Sequence, residues 1–165
     1  MLDLETGRFS WGEGLELYPG MSKEEFRKSK IFENELLRPE DKEEDCRMYD
    51  LRTQEIDGFR MDMEVRFSKS GYVSEIFLSK PEYYKWPNWP KELTEKEYAL
   101  EILEYNKAFV RKQIEEGMAG KNIMIRSLYF FTSKWGDINT MCDLRDIPRV
   151  EVTIHYENFR FGRGI

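Results

Sequence analysis

An α+β fold is what this sequence predicts: an antiparallel sheet built from β-meanders, with one short and one long helix packed on one face. Three observations carry that reading. Between residues 93 and 117 apolar side chains recur at the 3.6-residue period of a helix, and between Phe59 and Phe67 they recur at the period of two that marks a strand. After each helix signal the chain offers three strand-like runs separated by turn residues. At 165 residues it is read as a single domain, 1–165, long enough to bury about two thirds of its unfolded surface in one core. Approximate halves, 1–80 and 91–158, are joined by the proline- and aromatic-rich segment 81–90.

The long helix has the clearest boundaries. Thr94 stands three residues before Glu97, so hydroxyl and carboxylate can satisfy the orphan amides of the helix start reciprocally, and Gly117 is the expected left-handed stop. Tyr98, Ala99, Ile102, Leu103, Tyr105, Phe109, Val110 and Ile114 share one face. Glu101, Glu104, Lys107, Arg111 and Glu115 lie opposite. Asn106 and Gln113 interrupt the apolar arc, which suits either a ligand pocket or the wetter edge of the stripe; such interruptions more often mark the edge.

Ahead of it, Leu2–Glu5 and Arg8–Trp11 flank the turn Thr6-Gly7 as a small opening hairpin, and Leu15–Tyr18 reads as another short strand. Gly12 and Gly14 lack the strand, third glycine and helix that a phosphate-cradling loop requires. Pro19-Gly20 turns the chain, and Ser22 with Glu25 repeats the capping box before a short helix over about Lys23 to Lys30.

The first meander follows as Cys46–Arg52, Phe59–Phe67 and Tyr72–Leu78. In its middle strand Arg60, Asp62, Glu64 and Arg66 form an outward row alternating in sign, as cross-strand pairing favours. The second meander is Asn122–Thr132, expected as a central strand, then Trp135–Leu144 and Arg149–Glu157. Val150, Val152, Ile154 and Tyr156 face one way; Glu151, Thr153, His155 and Glu157 face the other. Written coarsely, this is a duplicated α-β-β-β unit, with the helices covering one face of the sheet and the opposite face left partly open.

Composition bounds the function. Asp and Glu outnumber Lys and Arg by 32 to 26, a net charge of -6, which disfavours nucleic acid or an anionic membrane and favours a basic protein partner. The aromatic content of 15% is too high for a disordered chain. With neither a signal peptide nor an apolar run of membrane-spanning length, a cytoplasmic location is expected. Cys46 and Cys142 form no CxxC pair and read as reduced thiols. No cofactor and no metal are expected.

Two segments stand out as partner-binding candidates. Glu40, Asp41, Glu43, Glu44 and Asp45 follow Pro39 with only Lys42 between them. They form a solvated connection or an electrostatic landing site for a cationic partner, and they lack the glycine turn and distal Glu of a calcium loop. Tyr83, Tyr84, Trp86 and Trp89 are crowded among Pro81, Pro87 and Pro90. Proline pre-orders such rings as low-entropy anchors, unless they tuck beneath the long helix as core.

The rival class is an enzyme acting on a carbohydrate or small molecule through carboxylates on the open face. Asp62, Glu64, Glu151 and His155 would be its acid and base candidates. A third class is a structural or regulatory module that assembles with itself through a sheet edge.

The opening stretch also carries a likeness. Phe9-Ser10-Trp11, Leu15, Leu17 and Pro19-Gly20-Met21-Ser22-Lys23-Glu24-Glu25-Phe26, followed by the strand pair around Gly71, resembles the first half of small bacterial immunity proteins that neutralise secreted polymorphic toxins. The Gly-Met-Ser-x-x-Glu turn is similar, too, to the repeat of exported β-lactamase-inhibitor-like and outer-membrane-assembly lipoproteins, whose export signals this chain does not show. The first resemblance implies a stoichiometric inhibitor with no chemistry of its own. An acidic protein of that kind can occupy the nucleic-acid site of a basic nuclease toxin.

Overall fold

A computed structural model describes residues 1–38, 45–81, 93–121, 127–143 and 149–156. Eleven elements run in the order β1 (Phe9–Gly12), β2 (Leu15–Leu17), α1 (Lys23–Arg27), α2 (Lys30–Asn34), β3 (Met48–Ile56), β4 (Phe59–Phe67), β5 (Val73–Ser79), α3 (Glu95–Met118), β6 (Phe130–Ser133), β7 (Gly136–Asp143) and β8 (Arg149–His155) among the described residues. β1 and β2 pair as a small ribbon, and the other six strands form one antiparallel sheet in the order β3-β4-β5-β8-β7-β6. The predicted α+β architecture is therefore the one observed. Its two meanders meet through their last strands, β5 against β8. This mirror-like order is what an α-β-β-β unit laid twice around a local twofold axis would give.

The period-two stretch sets the sheet's two faces. Register runs Tyr49–Val65–Ile76–Ile154–Ile138–Phe131 across all six strands, and every one of these residues is buried. The hairpin joining β3 to β4 is tight because Asp57 and Gly58 both take positive φ, 51° and 83°, which suits a two-residue turn to the twist of the strands. Phe26 of α1 meets Tyr49 and Phe67 at ring-centroid distances of 5.0 and 5.3 Å. From α3, Phe109 meets Phe59 at 5.5 Å. Both helical groups thus cover the same face, as amphipathic periodicity requires.

Local signals are mostly realised as read. Both capping boxes form: Ser22 with Glu25 and Thr94 with Glu97. Four expectations need correction. The short helix ends at Arg27, where Ser29 turns the chain and caps a second one, α2. Gly117 does not end the long helix but lies buried inside it, because Leu4 and the Leu2 carbonyl press against it; a Cβ there would stand 2.6 Å from Leu4 Cγ. Asn106 and Gln113 are no wet edge, since both are fully buried. Finally, the run expected as a central strand yields only β6, at the sheet's rim with Phe130 49% exposed; residues 122–126 lie outside the described part.

The N-terminal segment is woven into this core. Leu2 and Leu4 are buried, Leu2 N–H donates to Gln113 Oε1 at 2.9 Å, and Gln113 Nε2 donates to Asp57 Oδ2 at 2.6 Å. Trp11 Nε1 donates to Gln54 Oε1 at 2.9 Å, and the Gln54 amide donates in turn to Glu35 and to the Arg52 carbonyl. Among the described residues no helix is long and apolar enough to cross a membrane.

Candidate functional site

Of the residues singled out as partner-binding, Glu40, Asp41, Glu43, Glu44, Tyr83, Tyr84, Trp86 and Trp89 lie outside the described part of the chain. Asp45 is described and exposed, three residues before β3. The alternative set is more informative, because the sheet register brings its members onto one surface. Core-face positions alternate with open-face positions along β4 and β8, so Asp62, Glu64, Glu151 and His155 all stand on the side away from the helices.

On that face, register sets Glu75 of β5 and Asp137 of β7 on either side of His155. His155 Nδ1 stands 3.4 Å from Asp137 Oδ2, and Asn139 Nδ2 donates to Asp137 Oδ1 at 2.6 Å. A proton on Nδ1 would make the ring a donor to Asp137 and leave Nε2 an acceptor. Gly136 makes this approach possible: with φ of +140°, it lets β7 start against β8 where a Cβ would fall 1.8 Å from the His155 carbonyl oxygen. The histidine expected between Glu151 and Glu157 along its own strand is therefore flanked across strands by Glu75 and Asp137. Glu157 lies outside the described residues. No pattern in the sequence marks Glu75 or Asp137, since their approach to His155 depends on which strands flank β8.

The next row holds Asp50, Glu64, Phe77, Thr153, Asn139 and Phe130. Two carboxylates would face each other across β3 and β4, which like-charge repulsion disfavours. Each has a cation: Arg38 pairs with Asp50 and Arg66 with Glu64. The Arg66 guanidinium also lies 4.2 Å from the Phe77 ring centroid, a cation–π contact. Thr53 Oγ1 donates to Asp62 Oδ1 at 2.6 Å. Exposure falls from the β3 edge, where Met48 is 51% exposed, to the sheet centre, where Glu151 is 5% exposed.

This geometry bears unequally on the alternatives. His155 Nε2 is buried with neither solvent nor a protein partner against it, so proton exchange with a substrate requires that the imidazole first be uncovered. Among the described residues no group of three or more His, Cys, Asp or Glu side chains is placed to hold a metal ion. Self-pairing through β3 meets an occupied edge: Leu36 bridges Leu51, Leu37 N–H donates to the Asp50 carbonyl and Arg52 N–H to the Glu35 carbonyl, which blunts the edge as covering segments do.

Fold and site together define an α+β protein with a helix-covered sheet face and a polar, predominantly acidic open one. The chain matches no family model, no curated protein and no solved structure.

Proposed function

We propose that this chain is a cytoplasmic protein-binding module that holds a basic partner protein against its open sheet face, acting as an immunity protein that neutralises a bacterial toxin by covering its active surface. The observation supporting this is the charge of that face. Asp50, Asp62, Glu64, Glu75 and Asp137 share it with Arg38, Arg60 and Arg66, while the other face is closed by the core. An excess of one sign of charge over a surface raises the encounter rate with an oppositely charged protein and favours its orientation. The acidic run Glu40–Asp45 would add charge that attracts a basic partner, and the aromatic run Tyr83–Trp89 would supply anchors.

Affinity capture of the tagged protein from its own bacterial lysate, at low and at high salt, tests the reading. One basic protein retained stoichiometrically at low salt, and lost by a variant with Asp62→Lys and Glu75→Lys, supports it. Restored growth when the captured protein and this chain are expressed together identifies the pair as toxin and immunity protein. If nothing specific is held at either salt, the binding reading falls.

A further inference from the structure

Asn106 is fully buried, and neither its donor Nδ2 nor its acceptor Oδ1 meets a hydrogen-bond partner. It lies in the middle of α3, on the face that carries Ile102 four residues before it and Val110 four residues after. That position coincides with a seam in the packing. Ala99, Ile102 and Val150 form a small apolar cluster of their own, with Tyr98, Leu103 and Cys142 against it. Phe109, Val110 and Ile114 belong to the main core.

Gln113, two turns further along the same face, shows how a buried amide is ordinarily accommodated here, with its oxygen on Leu2 N–H and its nitrogen on Asp57. A carboxamide left with neither bond in an apolar interior forfeits the full desolvation cost of both groups. Native interiors meet that demand with ordered water, which offers a donor and an acceptor at once. The neighbours of Asn106 one turn away along this face of α3, Ile102 and Val110, are apolar and carry no charge.

We infer that Asn106 is the protein's anchor for an internal water site at the seam between the two apolar clusters, where α3 lies on the sheet. Water there completes the amide's hydrogen bonds and takes the place of a direct protein partner. The inference is independent of any binding role of the open face.

The test is nuclear magnetic resonance of the isotope-labelled full chain. Water-selective cross-relaxation should give the Asn106 side-chain amide protons a direct contact to a long-lived water, with exchange as slow as the opening of α3. Absence of that contact, with the amide protons instead bonded to a protein carbonyl, overturns the site. Asn106→Leu provides a second reading: it should abolish the contact and leave Tm unchanged or raised, because the polar group and its water leave together. A Tm lowered as in a core truncation would mean that Asn106 has a direct protein partner, and would also overturn the proposal. Should Asn106→Leu fail to fold, the wild-type contact alone decides.

Discussion

The indole of Trp135 lies across Gly7, so closely that a Cβ built on the glycine would stand 2.5 Å from Trp135 Cδ2. Around this contact the first residues of the chain are fastened to the second meander: Trp135 Nε1 donates to the Leu4 carbonyl at 3.0 Å and the Tyr156 hydroxyl to the Gly7 carbonyl at 2.9 Å. Gly7 also holds a φ of +73°. Gly7→Ala should therefore lose stability twice over, through the left-handed backbone and through the clash, by about 3 kcal/mol in all. Urea unfolding followed by tryptophan fluorescence measures it.

A glycine inside a helix ordinarily weakens it, and replacement by alanine gains about 1 kcal/mol. At Gly117 the sign should reverse. The methyl would meet Leu4 Cγ at 2.6 Å and the Leu2 carbonyl at 3.0 Å, so Gly117→Ala is expected to lower Tm. A rise in Tm would show that the N-terminal segment yields to α3.

Gln113 connects three parts of the chain. Gln113→Leu keeps the volume but strips an acceptor from the Leu2 amide and a donor from Asp57, and should cost about 2 kcal/mol. Because the loss falls on the first residues, amide exchange at Leu2 should quicken more than in the centre of β4.

The helix caps predict an acid limb in the stability profile. Hydrogen bonds from the Thr94 backbone and hydroxyl hold the Glu97 carboxyl below its ordinary value of 4.5, and the Ser22 hydroxyl and backbone do the same for Glu25. A carboxyl whose value is lowered on folding stabilises the fold fully above the unfolded value, and that contribution is lost as pH falls through the folded one. Thr94→Ala should thus be less stable than the wild type at pH 7, with the gap narrowing below pH 4 as Glu97 protonates. Parallel urea titrations at the two pH values check this.

Tyr156 is fully buried, and burial pushes its phenol far above the ordinary value of 10.0. A raised value means the neutral phenol's contribution is complete below the unfolded value and fades only as pH climbs through the folded one. Absorbance titration should show this tyrosine staying neutral when the exposed ones have ionised. Tyr156→Phe should cost about 1 kcal/mol through the hydrogen bond to Gly7.

What the sequence by itself determined was much of what is governed by neighbours along the chain. Residues three and four apart on a helix share a face and alternate residues on a strand share a face, so the capping boxes, the span of α3 and the inward row of β4 follow from short-range stereochemistry. Tertiary structure decided what depends on which strands pair and which segments press together. Only the pairing of β8 with β5 on one side and β7 on the other sets Glu75 and Asp137 beside His155, and only the docking of Leu2 and Leu4 makes Gly117 a packing glycine and Gln113 a core residue. Strand order and close approach between distant segments are settled by the burial of whole faces, a sum over the fold that no window of neighbouring residues contains.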